Sequence, residues 1–295
     1  MNRYLNDWDF ALFSANLHTY MPAIGWHEHP EIYTDWRQYH SGKTDIDHCP
    51  PLSDTERLRA LPTGIVVLFH LGHHIQLPLR LAQAGLSFDI ILDRSVYRRS
   101  QPLFDRLQEE MDIHGRQHAY LFSDDPSLLL RVRERLRKGR HLLVFADAAS
   151  GAASPSTAKD VRVPIPFLQG ELWLKKGIPL MAYLFDVALY PICYQHTTEC
   201  PSYVLHEPLA VRKQENREDF IRRALCQCYG LLAETVSRRP WVWECWPYLH
   251  SNGMLQIVDV DMLSVLKNDP MLLLPLDNKN CLFDRRYYYA RTLTF

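Results

Sequence analysis

Four short apolar runs, Ile65–Phe69, Leu86–Leu92, His118–Phe122 and His141–Ala146, recur through the first half of the chain. Runs of this length without strict alternation are what strands buried on both faces look like. The stretches after them carry helical spacing instead. His74–Ala84 is a short helix with Pro78 near its start, and Gln101–Met111 puts Leu103, Phe104 and Leu107 on one face. Ser123-Asp-Asp125-Pro126 opens a third helix that runs to Gly139. Strands alternating with helices build a sheet covered on both faces. The fold class is therefore α/β: a single domain with a central mixed sheet flanked by helices.

The first run carries the most chemistry. Pro62-Thr63-Gly64 leads into five apolar residues, and the strand delivers His70 to its carboxyl end. Open α/β sheets place their ligand crevices at that end. Gly72 then lets the backbone turn without a Cβ penalty. Strand, histidine, glycine turn and helix make a seat for a general base. The bland alternative is a core histidine with its hydrogen bonds satisfied. The fourth run ends on Asp147, followed by the small, turn-prone residues 148–155. Aspartate there either serves the site or caps the turn.

His70, His73 and His74 form His-x-x-His-His, yet no carboxylate or thiol stands at a metal-ligand offset, so no metal is expected. His73 and His74 then line a substrate path or pack. Arg94, Arg98 and Arg99 are suited to a phosphate, or are the solvated start of a helix. Gly170-Glu171 is either the edge of an acceptor pocket or a simple turn. No cysteine comes after a strand at a glycine-rich turn, which argues against a thiol nucleophile.

Elsewhere, Asp7–Leu17 reads as a helix capped by Asn6 or Asp7, and Ser53-Asp-Thr-Glu56 as a capping box. Trp8, Trp26 and Trp36 with the histidines of residues 1–50 read as packing over a core rather than a base-stacking surface. Arg131, Arg133, Arg135, Arg137 and Lys138 crowd the outer face of the third helix. Such a run is usually a solvated face; the sharper alternative is a docking strip for an acidic carrier protein. Gly170–Gly177 reads as one or two helical turns, Ile178–Phe185, Ala188–Gln195 and Ser202–His206 as strands, and Gln214–Val236 as the longest helix.

Composition narrows the function classes. Apolar residues make up 47% of 295 residues, enough for a sizeable core, and the net charge of −1 offers no field for nucleic acid. Seven scattered cysteines suit a cytoplasmic protein with buried thiols. No apolar run is long enough for a signal peptide or a spanning helix, which leaves at most peripheral membrane contact.

In order along residues 60–250, these segments resemble the lysophospholipid acyltransferase superfamily, and within it the bacterial lipid A late acyltransferases. The stretches that carry the resemblance are His70-Leu-Gly72-His73-His74-Ile75, Asp93-Arg94-Ser-Val-Tyr-Arg98-Arg99, Leu136-Arg-Lys-Gly139, Phe145-Ala-Asp147-Ala-Ala-Ser-Gly151, Val163-Pro-Ile-Pro-Phe167-Leu-Gln-Gly170, the Ile178–Phe185 strand, the closing helix Asp219–Ser237 and Trp241–Tyr248. The resemblance implies an acyltransferase whose donor is an acyl thioester of phosphopantetheine, on acyl carrier protein or coenzyme A, with no permanently bound cofactor. It implies His70 as base, helped by an acid, with backbone amides near Gly72 or Gly151 holding the oxyanion. The family's acid falls on Ile75 here, and the next side chain, Gln76, is neutral. Asp147, and after it Asp93, are the candidates to replace it. The implied substrate-binding set is Gly72, His73, His74, Arg94, Arg98, Gly151, Gly170 and Glu171.

The absence of a membrane-anchoring helix from this pattern favours a soluble acceptor, such as a peptide, polyketide or carrier-bound intermediate. The expected organisation is an aromatic-rich extension over 1–60, the acyltransferase-like domain over 61–250, and a C-terminal extension over 251–295 that packs down or docks a partner. Two other functions fit the same site: a catalytically impaired protein that binds an acylated carrier, and a thioesterase that uses water as acceptor.

Overall fold

A computed structural model describes residues 7–41, 49–113, 118–147, 162–196, 200–252, 256–257, 270–276 and 279–292. The chain divides into two compact units, one of Gly42–Ser150 and Lys176–Thr235, the other of Met1–Ser41, Gly151–Lys175 and Val236–Phe295.

The first unit is α/β, with a mixed six-stranded sheet in the order β3-β2-β4-β1-β7-β8. Its strands are β1 (Ile65–Leu68), β2 (Phe88–Leu92), β3 (Tyr120–Phe122), β4 (His141–Phe145), β7 (Leu189–His196) and β8 (Pro201–Leu205). The first five run parallel, and β8 closes the sheet antiparallel to β7. All four residues of β1 are buried, as a central parallel strand requires. Helices α3 (Thr55–Arg59), α4 (Leu77–Gln83), α5 (Arg94–Arg99), α6 (Gln101–Ile113), α7 (Leu128–Arg137), α8 (Gly177–Phe185) and most of α9 (Arg217–Arg238) belong to this unit.

Asp89 is fully buried near the amino end of β2. It accepts from Arg140 Nε at 2.9 Å and from the Ala119 amide at 2.8 Å. Arg140 precedes β4 and Ala119 precedes β3, so one carboxylate ties three strands together at their amino ends. The opposite, carboxyl edge is left to the site. At that edge the chain leaves β1 for β2, beyond β4, and leaves β4 for β7, beyond β1. Connections that diverge from neighbouring strands open a crevice between them.

Three local expectations are corrected here. Ile178–Phe185 lies in the helix α8, not a strand. Pro179 sits in its first turn, where no amide bond is needed, and Asp186 ends it in the left-handed region at φ 51°. Gly170–Lys175 is strand β6, not helical turns; it pairs antiparallel with β5 (Arg162–Phe167). The predicted capping box at Ser53 does not form. Asp54 caps α3 by accepting from Arg57, while Ser53 donates to the Tyr203 carbonyl.

The second unit holds α1 (Trp8–Tyr20), α2 (His29–His40), the β5–β6 hairpin and a four-stranded sheet of β9 (Gln256–Ile257), β10 (Met271–Leu276), β11 (Lys279–Asp284) and β12 (Tyr289–Thr292). Asp7 caps α1 by accepting from the Phe10 amide at 2.7 Å. Ala11 and Ala15 of α1 bury against Leu274, Cys281, Phe283 and Ala290 of the sheet. Trp243 and Trp246 are fully buried, and Trp36 Nε1 donates to the Trp243 carbonyl. Trp8 packs on Phe283 and Trp36 on Phe13, so these half-buried tryptophans of the chain's start lie over the core of this unit. Among the described residues no helix is long and apolar enough to cross a membrane.

Each unit buries a neutral histidine. In the first, His141 Nδ1 accepts the Gly64 amide at 3.3 Å. In the second, His29 Nε2 donates to the Ile24 carbonyl, which can only accept, so Ser14 Oγ donates to Nδ1 at 2.6 Å. Arg285 donates to that same Oγ at 2.7 Å. Burial pushes both imidazoles down from 6.5 to about 4. The unfolded chain then takes up protons before the folded one does. Stability is complete above pH 6.5 and falls towards pH 4, by about 1.4 kcal/mol per pH unit for each histidine. Denaturant unfolding between pH 7.5 and 4.5 should show this slope, and His141→Gln should make it shallower. A flat profile would contradict the buried, neutral state.

Candidate active site

The register of β1 on β4 builds the site. Ile65 pairs with Leu142 and Leu68 with Phe145. Continued two residues beyond both strands, the same offset brings His70 level with Asp147. Ala146 donates its amide to the Leu68 carbonyl at 2.9 Å, so the ladder carries on past the strand ends.

Asp147 is buried, its side chain only 1% exposed, whereas the His70 side chain is 23% exposed. The carboxylate accepts the His70 backbone amide at 3.0 and 3.1 Å and the ring Nδ1 at 2.8 Å. A carboxylate is an acceptor, so Nδ1 carries the proton and the lone pair lies on Nε2. Binding both the amide and the ring of one residue fixes the imidazole's orientation. The Phe145 ring stands 4.8 Å from it, and the buried His74 meets it edge-on at 4.9 Å.

Aromatic residues that sequence reasoning missed hold both halves of the pair. Tyr229, on α9, donates its phenol to the Ala146 carbonyl at 2.8 Å and packs edge-on against Phe69 at 5.5 Å. Tyr203 donates to the Leu71 carbonyl at 2.9 Å. Gly72 adopts φ +61°, and a Cβ built there would lie 2.7 Å from the Tyr194 ring. The only sequence signal for these was the tyrosine content of β7, β8 and α9. Nothing in the sequence says that a phenol faces a site rather than solvent.

The other expected site residues are spread over several elements. His73 is half-buried in the turn after His70. Asp93 is not beside His70: it caps α5 by accepting the Ser95 amide at 2.7 Å, and those Ser95 hydrogen bonds hold its carboxyl below the usual range. Arg94 pairs with Asp124 at 3.1 Å and lies over the Phe122 ring at 4.2 Å. Arg98 and Arg99 are exposed on α5, at the same sheet edge as His70 but beyond β4. Gly170 and Glu171 begin β6, in the other unit. Tyr20 fills the space that a Gly170 Cβ would need, at 2.8 Å, and its phenol donates to the Glu171 carbonyl. Gly151 lies outside the described residues. The cysteines buried in the first unit, Cys49, Cys193 and Cys228, have thiols pushed up by burial, which makes them poor nucleophiles.

No family model matches this chain, and no curated protein does. Among solved structures it is similar to the 1-acyl-sn-glycerophosphate (LPA) acyltransferase PlsC from Thermotoga maritima. The identity is 13% and the TM-score 0.40, over 78% of this chain and 97% of that one. The chemistry available to this chain is set by its own His70 and Asp147.

Gly72→Ala should destabilise the protein by about 1–3 kcal/mol, through the left-handed backbone and the Tyr194 contact. Tyr229→Phe, which keeps the ring on Phe69, should lose only about 1 kcal/mol. Denaturant midpoints check both. Equal, negligible losses would mean that the turn is not under the constraint described.

Proposed function

We propose that this protein is an acyltransferase. In this reading it moves an acyl group from a phosphopantetheine thioester, on acyl carrier protein or coenzyme A, to a hydroxyl or amine acceptor in lipid or secondary-metabolite synthesis. The observation that carries the proposal is a partly exposed imidazole whose Nδ1 is held at 2.8 Å by a buried carboxylate. That arrangement leaves Nε2 able to take a proton from an incoming nucleophile, and Asp147 to stabilise the imidazolium that results.

The acceptor oxygen or nitrogen attacks the thioester carbonyl as Nε2 removes its proton. A new C–O or C–N bond forms and the tetrahedral oxyanion collapses. The C–S bond then breaks, and the departing sulfur takes the proton from His70. In this reading backbone amides near Gly72 or Gly151 hold the oxyanion. A thioester is already activated, so a single base is sufficient assistance. Ile75 was the reason to consider a binding protein without turnover; a carboxylate supplied by β4 removes that reason and favours catalysis.

Transfer from acyl-carrier and acyl-coenzyme A donors, with products read by mass spectrometry, tests this. His70→Ala should abolish transfer. Asp147→Asn should lower kcat by orders of magnitude, about 10⁴ in the serine-protease precedent, with little change in KM. Full activity in His70→Ala would end the proposal, and free acid as the sole product would make the protein a thioesterase.

A further inference from the structure

The carboxyl edge of the sheet carries more than the His70 crevice. β3, β2, β4 and β1 are parallel neighbours, so the start of α7, the helix after β3, lies on the same edge as His70. Three inter-strand steps, about 14 Å, separate the ends of β3 and β1.

α7 buries Val132 and Leu136 but leaves Leu129 at 49% and Leu130 at 71% exposure. At 100° per residue, Leu129, Arg133, Arg137 and Leu130 share one arc of about 100° on that helix. The other cations of α7 and its C-cap are engaged. Arg131 pairs with Asp125 at 3.0 Å, Arg135 with Asp89 at 3.7 Å, and Lys138 with Glu134 at 2.6 Å. Arg133 and Arg137 have no carboxylate partner among the described residues. The strip is thus two exposed leucines in the first turn, followed by two unpaired guanidiniums one helical turn apart.

We propose that Leu129, Leu130, Arg133 and Arg137 form the docking face for an acidic helical carrier protein, which presents the acyl thioester to His70 on a flexible arm. The proposal rests on the acyl-transfer reading above and chooses between its two donors. Carboxylates spaced by four residues on a partner helix match Arg133 and Arg137, and apolar side chains beside them cover the leucines. A coenzyme A donor has no use for exposed leucines three strands from the reacting atoms. An anionic membrane fits less well. A helix that lies on lipid exposes apolar side chains along its whole length, whereas α7 exposes them in one turn and spends the rest of its apolar face on the sheet.

The test uses the full chain with acylated carrier protein and the matching acyl-coenzyme A. In Arg133→Glu/Arg137→Glu the KM for acyl-carrier should rise about tenfold or more at low salt, with kcat and the coenzyme A reaction unchanged. Leu130→Ser should give a smaller rise. Anisotropy of labelled acyl-carrier against the same variants in a His70→Ala background reads docking without turnover, and should show the same order of affinities. Equal carrier affinity in wild type and the double variant overturns the proposal, as does an equal effect on both donors. Binding to phosphatidylglycerol vesicles that the double variant loses, with carrier binding untouched, also overturns it. Wild type inactive with every donor removes the acyltransferase function, while charge-dependent carrier binding would still support this face.

Discussion

One parallel pairing, β1 on β4, decides whether this protein has a site at all. Its register fixes an offset that puts Asp147 beside His70, two residues past the last paired positions. A slip of one residue would turn every side chain of one strand to the other face. The carboxylate would then be buried against apolar neighbours without its hydrogen bonds, at a penalty of several kcal/mol. Burial of Ile65–Leu68 and Leu142–Val144 holds the two strands together, and the bonds specific to this offset, Ala146 to the Leu68 carbonyl and Asp147 to the His70 amide and ring, mark which residues meet.

The pair also explains how Ile75 can occupy the position where the family resembled by this sequence carries an acid. A carboxylate five residues downstream in the same loop depends on that loop's conformation. A carboxylate that follows the neighbouring strand is placed by the sheet and by what packs at the strand's end. Asp147 bonds the His70 amide as well as its ring, so it also fixes the backbone that carries the histidine. The turn can then keep an apolar Ile75 and still present an oriented imidazole.

Much of this was legible in the chain, and the failures have physical causes. Parallel strands buried on both faces show as unbroken apolar runs, which is why β1, β2, β3 and β4 could be read. α9 could be read because one of its faces is consistently apolar. α8 could not: an apolar run of nine residues with Ile178 and Tyr183 has no periodicity to separate strand from helix, and burial chose helix. β6 alternates correctly, but Trp173 occupies an outward position and hides the period of two. At Ser53 the favoured cap lost to Asp54, whose side chain reaches Arg57 from a left-handed backbone. His70 and Asp147 could each be nominated from their places after strands, and the resemblance put Asp147 first among the acids to serve His70. Their meeting at hydrogen-bond distance could not be read, because register is a property of two strands and no single stretch of sequence contains it.

The same logic gives the supporting tyrosines their meaning. A histidine–aspartate pair at a strand end is only as well oriented as the two peptide segments beyond the last ladder bonds, where strands ordinarily fray. Here Tyr229 takes the Ala146 carbonyl, Tyr203 takes the Leu71 carbonyl, and Tyr194 fills the space under Gly72. Each is a large ring with one polar tip, able to pack in the core and satisfy a carbonyl in the same place. Because they stand on α9, β7 and β8, the orientation of His70 is tied to the packing of the whole sheet rather than to its own loop. Rigidity reaches the imidazole from beneath and from the side, while nearly a quarter of its side-chain surface stays open to solvent.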